Sequence, residues 1–296
     1  MKHLLLIIAL AFALATCVWS PVAAQTGAQT TPQSAPAIVS STPGNHEKDK
    51  GENDQGKDQD NAHKARALLD QAIKALGGQA YLDIHDLQEQ GRTYSFYHGR
   101  SSSNGVFFWR FVEYPDKERI EVTPQRDVAY IYTGDKGYEV TYKGPRAVEK
   151  KDLDDYLRHR RFSLETMLRT WINDPTVALF YDGDALAGSL AAQRVTLISA
   201  KNEAVSIYFD MDTHLPIKKT YSWRDPVDKQ RNVEEETYDN YRPVQGIMTP
   251  YGFTRYFNGD MQTERFVNSV SYNKGLNQAM FDANSGYDPN KPVKKH

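Results

Sequence analysis

Val106-Phe107-Phe108-Trp109-Arg110-Phe111-Val112-Glu113-Tyr114 is the stretch on which the fold turns. Side chains of a strand alternate between two faces. Here large apolar groups fall on both, so both faces need cover. Downstream, period-two patterns repeat at Ile120 and Val122, at Val128, Tyr130 and Tyr132, and at Tyr138, Val140 and Tyr142, as expected of half-buried strands. Thr133-Gly134-Asp135-Lys136-Gly137 supplies the turn of an antiparallel hairpin. Strands resume at Val177 and run to Tyr272, including Val205, Ile207, Phe209 and Met211, then Ile217, Tyr221 and Trp223, then Phe253, Arg255 and Phe257. Roughly a dozen strands without regular strand-helix alternation disfavour a doubly wound nucleotide-binding fold.

Two helical patterns interrupt the strands. Upstream, Ala65, Leu68, Leu69, Ala72, Ile73 and Leu76 form one apolar stripe, closed by Gly77 and Gly78. Between Glu149 and Asn173, Leu153, Tyr156 and Leu157, then Leu164, Met167, Leu168 and Trp171, predict two helices joined near Phe162. Asp152 and Ser163 are candidate N-caps, and the basic run Arg158 to Arg161 suits the C-terminal end of the first helix. The expected fold is mostly β (α+β): a strongly curved antiparallel sheet, an incomplete β-barrel, with helices filling or covering its concave side.

Outside this region the composition changes sharply. Residues 1–24 read as a signal peptide, with Lys2 and His3 before an apolar run from Leu4 to Ala15 and small residues at Ala23 and Ala24. A run of about twelve residues gives roughly 18 Å of helix, short of the ~30 Å a spanning helix crosses, so no stable transmembrane span is expected. Cleavage is placed after Ala24, which makes the chain periplasmic or secreted. A rival site at Leu14-Ala15-Thr16-Cys17 would leave an acylated Cys17. Residues 25–61, rich first in Gln, Thr, Ser, Ala and Pro and then in charge, read as a disordered polar tether. A single domain then covers 62–284, with a polar C-terminal tail over 285–296.

The chemistry available is limited. Cys17 is the only cysteine, so a chain cut after Ala24 carries neither disulfide nor thiol nucleophile. A formal charge of −2, more negative still once Lys2 leaves with the leader, argues against a general nucleic-acid or anionic-membrane binder. His85, His98, His159 and His214 lack the paired spacing of a zinc site, and neither metal nor cofactor is expected. Asp210, Asp212 and His214 suit a tight turn better than a calcium loop. Glu234 and Glu236 share one strand face, which reads as an edge charged against aggregation rather than a catalytic pair. No G-x-S-x-G elbow, phosphate loop, H-E-x-x-H helix or dinucleotide fingerprint occurs. The sequence therefore carries no enzymatic signature.

The helix ending at Gly77-Gly78, the turn Tyr114-Pro115-Asp116-Lys117-Glu118-Arg119, the turn Asp210 to Pro216, and Tyr238-Asp239-Asn240-Tyr241-Arg242 leading to Gly246, Ile247 and Pro250 resemble the periplasmic outer-membrane lipoprotein-sorting carriers of the Lol type. The likeness spans Ala65 to Asp282. It implies an incomplete barrel around a hydrophobic cavity that admits lipid or lipoprotein acyl chains. The long tether and the longer central helical insertion depart from that pattern.

The resemblance implies a non-catalytic binder or carrier of lipid or lipoprotein acyl chains. Candidate cavity-lining residues are Phe107, Trp109, Phe111, Val205, Ile207 and Phe209, with Leu164, Leu168 and Trp171 as a lid. Ordinary packing explains any one of these as well. Arg158, Arg160 and Arg161 form a candidate patch for an anion or an envelope protein partner; solvated surface is the bland alternative. Two other readings stand beside the carrier: an envelope interaction or scaffold protein with a packed interior, and, last, an envelope hydrolase.

Overall fold

A computed structural model describes residues 50–102 and 104–291, with side chains from residue 57. The leader, Cys17 and most of the tether lie outside the described residues. The chain divides into Met1–Asp58 and Gln59–His296, and every contact below lies within the second unit.

Helix α1 (Lys50–Leu76) precedes a four-residue helix, α2 (Gln79–Leu82). Then follow β1 (Asp86–Tyr97), β2 (Arg100–Ser101), β3 (Val106–Glu113), β4 (Lys117–Val122), β5 (Val128–Thr133), β6 (Lys136–Thr141) and β7 (Gly144–Ala147). Two helices, α3 (Lys150–Arg161) and α4 (Leu164–Arg169), and a 3-10 turn at Trp171–Asn173 separate these from the second run. That run holds β8 (Ala178–Ala187), β9 (Leu190–Ile198), β10 (Ala204–Asp210), β11 (Pro216–Arg224), β12 (Arg231–Val244), β13 (Ile247–Phe257) and β14 (Asp260–Tyr272), before a last 3-10 turn at Gln278–Phe281.

All pairings among the described residues are antiparallel, in the order β7-β6-β5-β4-β3-β1-β14-β13-β12-β11-β10-β9-β8, with β2 paired only to β1. The first long strand thus lies beside the last, and β7 and β8, neighbours in sequence, stand at opposite edges. The chain between them must cross the whole sheet. This crossing is the helical insertion, α3 and α4.

How far the sheet curls follows from what α3 touches. Tyr132 on β5 stacks on Tyr156 of α3, ring centroids 3.5 Å apart, while His159, almost one turn later, meets Glu234 of β12 at 2.7 Å. Six strand spacings separate β5 from β12, roughly 29 Å on a flat sheet. Three helical residues rise only about 4.5 Å. The sheet is therefore wrapped around the helix, and it remains open at β7 and β8.

The core lies between α1, α4 and the β9–β12 side of the sheet. Ala65, Leu68, Leu69, Ala72 and Leu76 pack with Met167, Leu168, Trp171, Val195, Leu197, Val205, Ile207 and Phe209 in one buried cluster. The α1 stripe is the one its spacing predicts. Asn61 adds a two-point anchor, donating from Nδ2 to the Tyr181 carbonyl and accepting from the Tyr181 amide, each at 2.8 Å. The described part of helix α1 includes residues 50–61, so the stretch that composition reads as the end of a disordered tether is helical. Hydrophilic composition removed the core signal from that segment without removing its helix propensity.

At the other end, Gly78 N donates to Ile73 O at 2.8 Å, closing the helix. Gly77 has φ +130°, and a Cβ there would meet the Gly246 carbonyl oxygen at 2.6 Å, so glycine is required both by conformation and by the β12–β13 turn pressed against it. Past the last strand the chain stays attached: Arg119 donates to Met280 O, Arg119 lies over the Tyr287 ring, and Asn290 donates to Gln125 O. No helix among the described residues is long and apolar enough to cross a membrane.

Candidate functional site

Helix α3, KKDLDDYLRHRR, has too few apolar residues to bury a stripe, and none of its residues is fully buried. Its N-cap is Glu149, without a side-chain cap; Asp152 lies in the first turn instead. By contrast Ser163 caps α4, accepting from Thr166 N. What holds α3 on the sheet is polar. The Tyr156 hydroxyl donates to Glu118 at 2.9 Å. Arg158 lies over Trp223, 3.6 Å from the ring centroid, and donates to Asp155. Arg160 donates to the Asp116 carbonyl at 3.1 Å, and Arg161 grips Glu203 through Nε at 3.1 and 3.2 Å.

Under this helix the concave face carries charge rather than oil. Glu234 and Glu236 on β12, Lys219 on β11 and Arg255 on β13 form one network, with Glu236 bound by Lys219 at 2.6 Å and by the Tyr238 hydroxyl at 2.7 Å. Lys219 has no exposed surface and also donates to the Phe162 carbonyl, which ties the sheet to the α3–α4 junction. Further along the face, Glu89 lies between Arg110 and Arg265, and Arg110 also binds Glu118.

Burial pushes the Glu234 carboxyl up, but the hydrogen bond and charge of His159, with Arg255 and Arg158, more than reverse this and leave it at about 2. The Glu236 carboxyl is likewise raised by burial and brought to about 2 by the charges of Lys219 and Arg255 and by bonds from Lys219 and Tyr238. Burial and then Arg255 hold the His159 imidazole below its usual value against the pull of Glu234. Near neutral pH a neutral imidazole therefore faces an ionised Glu234 and bonds it as an N–H donor. Burial, and next the charge of Glu118, raise the Tyr156 hydroxyl, which stays a donor.

The sequence-predicted lining residues separate into two groups. Val205, Ile207 and Phe209 meet the lid residues Leu164, Leu168 and Trp171 in one cluster, yet the three strand residues have no exposed area and are filled over by protein side chains. Phe107, Trp109 and Phe111 face the other way. Val112 on the same strand enters the core and pairs across with Glu118, the acceptor of α3's Tyr156, so alternation sends residues 107, 109 and 111 to the outer face. There Arg92 lies over Phe107, and Arg126 over Trp109 and Phe111. As cavity-lining residues these three are corrected: both faces of β3 are apolar, but the outer one is covered by arginines. Arg158, Arg160 and Arg161 belong to the attachment of α3 rather than to a free patch.

Sequence reasoning placed Glu234 and Glu236 at a charged edge. They lie on an interior strand of the sheet, under α3. The usable signal was the run of four basic residues Arg158 to Arg161 on a helix, matched by the Glu234-Glu235-Glu236 run.

Where α3 ends, a groove of about 690 Å³ opens against β11 and β12, walled by Leu157, Phe162, Trp223 and Pro226 and rimmed by Arg158, Arg161, Arg224 and Arg231. Its size suits a small organic ligand. A smaller cavity of about 390 Å³ lies between α1 and the β8–β9 edge, beside Leu68 and Tyr181.

No family model matches the chain, and no curated protein matches it in sequence. Among solved structures, a DUF1329 family protein from Desulfovibrio piger is 12% identical and superposes over 75% of this chain and 97% of its own, with a TM-score of 0.52. The likeness is one of fold. Further neighbours are a LolA superfamily protein from Nitrosomonas europaea (10% identical, 74% and 97% covered, TM-score 0.46) and an outer membrane lipoprotein-sorting protein domain from Vibrio parahaemolyticus (13% identical, 74% and 97% covered, TM-score 0.47). The overall fold is thus shared with the DUF1329 family protein.

Proposed function

We propose that the protein is an exported, non-catalytic binder or carrier of lipid or lipoprotein acyl chains in the cell envelope. The observation that carries this reading is the attachment of α3. Twelve residues cross the concave face with no fully buried side chain among them, held by ion pairs and hydrogen bonds from Tyr156, Arg158, His159, Arg160 and Arg161. A helix attached in this way lifts without tearing the core, because α4 and α1 hold the packed cluster on their own. Lifting it uncovers Trp223 and the margin of the cluster at Tyr221 and Phe162. An acyl chain laid there gains roughly 0.8 kcal/mol per buried CH₂, enough over a long chain to offset the latch.

The test is solvent extraction and mass spectrometry of full-length protein taken from an envelope fraction, with binding of an environment-sensitive apolar dye as a second readout. Co-purifying acylated molecules and dye binding are the expected result. A clean extract together with a silent dye rules the carrier out.

A second reading, an envelope interaction protein with a packed interior, is favoured by the zero exposure of Val205, Ile207 and Phe209. It predicts the clean extract, together with a protein partner recovered by crosslinking.

A further inference from the structure

The groove at the end of α3 holds an arrangement the fold does not need. Arg224 on β11 stands directly opposite Arg231 on β12 in the ladder, and like charges placed so repel. Neither has an ion-pair partner among the described residues; Arg224 donates only to the Lys229 carbonyl, at 3.4 Å. The hairpin's own carboxylates are committed elsewhere, Asp225 to the amides of Val227 and Asp228, and Asp228 to that of Gln230. The one carboxylate lining the groove, Glu203, is held by Arg161 and Ser199. This unneutralised pair stands at the rim of the groove, where strand alternation puts it on the face of the hairpin opposite Trp223, and from the rim inward runs an apolar wall of Leu157, Phe162, Trp223 and Pro226.

We infer that the groove between the end of α3 and the β11–β12 hairpin binds an amphiphile with an anionic group, its apolar part along Leu157, Phe162 and Trp223 and its anion bridging Arg224 and Arg231. Two guanidinium forks offer paired N–H donors to phosphate or carboxylate oxygens, and a bound anion turns their repulsion into attraction. The apolar half of the inference rests on the acyl-binding reading; the anionic half rests on the arginine pair.

The experiment is calorimetric titration of full-length protein with dodecyl phosphate, dodecyltrimethylammonium and inorganic phosphate. Dodecyl phosphate is expected to bind at one site, at least about tenfold more tightly than either other probe, and the R224Q/R231Q double variant to lose about that factor. The single variant R231E, which puts a carboxylate opposite Arg224, is expected to melt no lower than the parent and to lose dodecyl phosphate binding. Equal affinity for the ammonium overturns the inference. So does equal affinity for inorganic phosphate, which would make the site one for free anion, or unchanged binding by R224Q/R231Q. Lipid in the extract with no effect of the arginine variants sinks the groove alone. Arginine-dependent binding of dodecyl phosphate with a clean extract sinks the carrier reading and keeps the anion site.

Discussion

His159 Nε2 and Glu234 Oε2 meet at 2.7 Å, joining a helix that buries no side chain fully to a strand deep in the concave face. The bond closes over a carboxylate only 3% exposed, so breaking it strands a charge rather than returning it to water. Its removal is therefore readable. Glu234→Gln removes the charged acceptor of His159 and the weaker of the two carboxylate partners of Arg158, which keeps Asp155, and is expected to cost about 2 kcal/mol. His159→Ala leaves Arg158 in place and is expected to cost about 1.5 kcal/mol. Urea unfolding of both variants and of the double variant measures the pair, and a double-mutant coupling near zero contradicts the latch.

The two buried carboxylates set the acid limit of the fold. Glu234 and Glu236 sit at about 2 in the folded protein against an ordinary 4.5, so the unfolded chain takes up protons first as pH falls. Their stabilisation is complete above pH 4.5 and drains away between there and about 2, on the order of 3 kcal/mol for each at most. His159 is held below its ordinary 6.5, so it too favours the unfolded chain as pH drops, beginning near 6.5. Melting temperature followed from pH 7 to 3 is expected to fall in two stages. In Glu234→Gln/Glu236→Gln the lower stage shrinks, leaving the part that Glu203, Asp210 and the other lowered carboxylates contribute.

Lys219 and Glu236 are an obligate pair. Lys219 is wholly buried, and its ammonium lies 2.6 Å from Glu236. Lys219→Met leaves that carboxylate with the Tyr238 hydroxyl and, for counter-charge, only Arg255 at 3.9 Å, and is expected to cost about 3 kcal/mol. Adding Glu236→Gln recovers part of the loss. Chemical denaturation of the single and double variants checks both the size and the recovery.

Gly77 is fixed by shape. Gly77→Ala forces a methyl to within 2.6 Å of the Gly246 carbonyl at a φ of +130°. A loss of about 2 kcal/mol or more is expected. Gly78→Ala, with open space around it, meets only the φ penalty and is expected to cost about 1 kcal/mol. Equal melting temperatures for the two would show that the β12–β13 turn does not press on the helix end.

The two faces of the sheet separate packing from cover. Leu168→Ala removes a side chain with no exposure from the cluster of Val205, Ile207 and Phe209 and is expected to cost about 2–5 kcal/mol. Phe107→Ala, at a position 38% exposed on the outer face, is expected to cost about 1 kcal/mol or less. Thermal unfolding of the pair checks the assignment of faces.

Much of this architecture was legible because apolar spacing reports burial directly. The stripe from Ala65 to Leu76, the alternation around Tyr130, and the capped start of α4 at Ser163 each follow from one local rule. The Asp210 turn also matches its reading: that carboxylate accepts from the amides of Asp212 and Thr213. What local rules missed was long-range. Glu234 and Glu236 look like an edge from their own neighbourhood, because only the crossing of α3, 75 residues away in the case of His159 and Glu234, covers them. Phe107, Trp109 and Phe111 have the size of cavity-lining residues, but alternation fixes which residues share a face and not which face is inside. That choice is made by Val112 and Glu118, through partners on other elements.

Acyl-chain binding under α3 requires that helix to be a cover that opens apart from the core. Native-state hydrogen exchange on the full-length protein, with and without saturating dodecyl phosphate, measures this directly. Amides of residues 150–161 are expected to exchange at least about a hundredfold faster than those of α1 from Ala65 to Leu76, and to slow when the amphiphile is bound. If α3 exchanges only with global unfolding, and at the same rate whether or not the amphiphile is present, it is part of the core and not a cover.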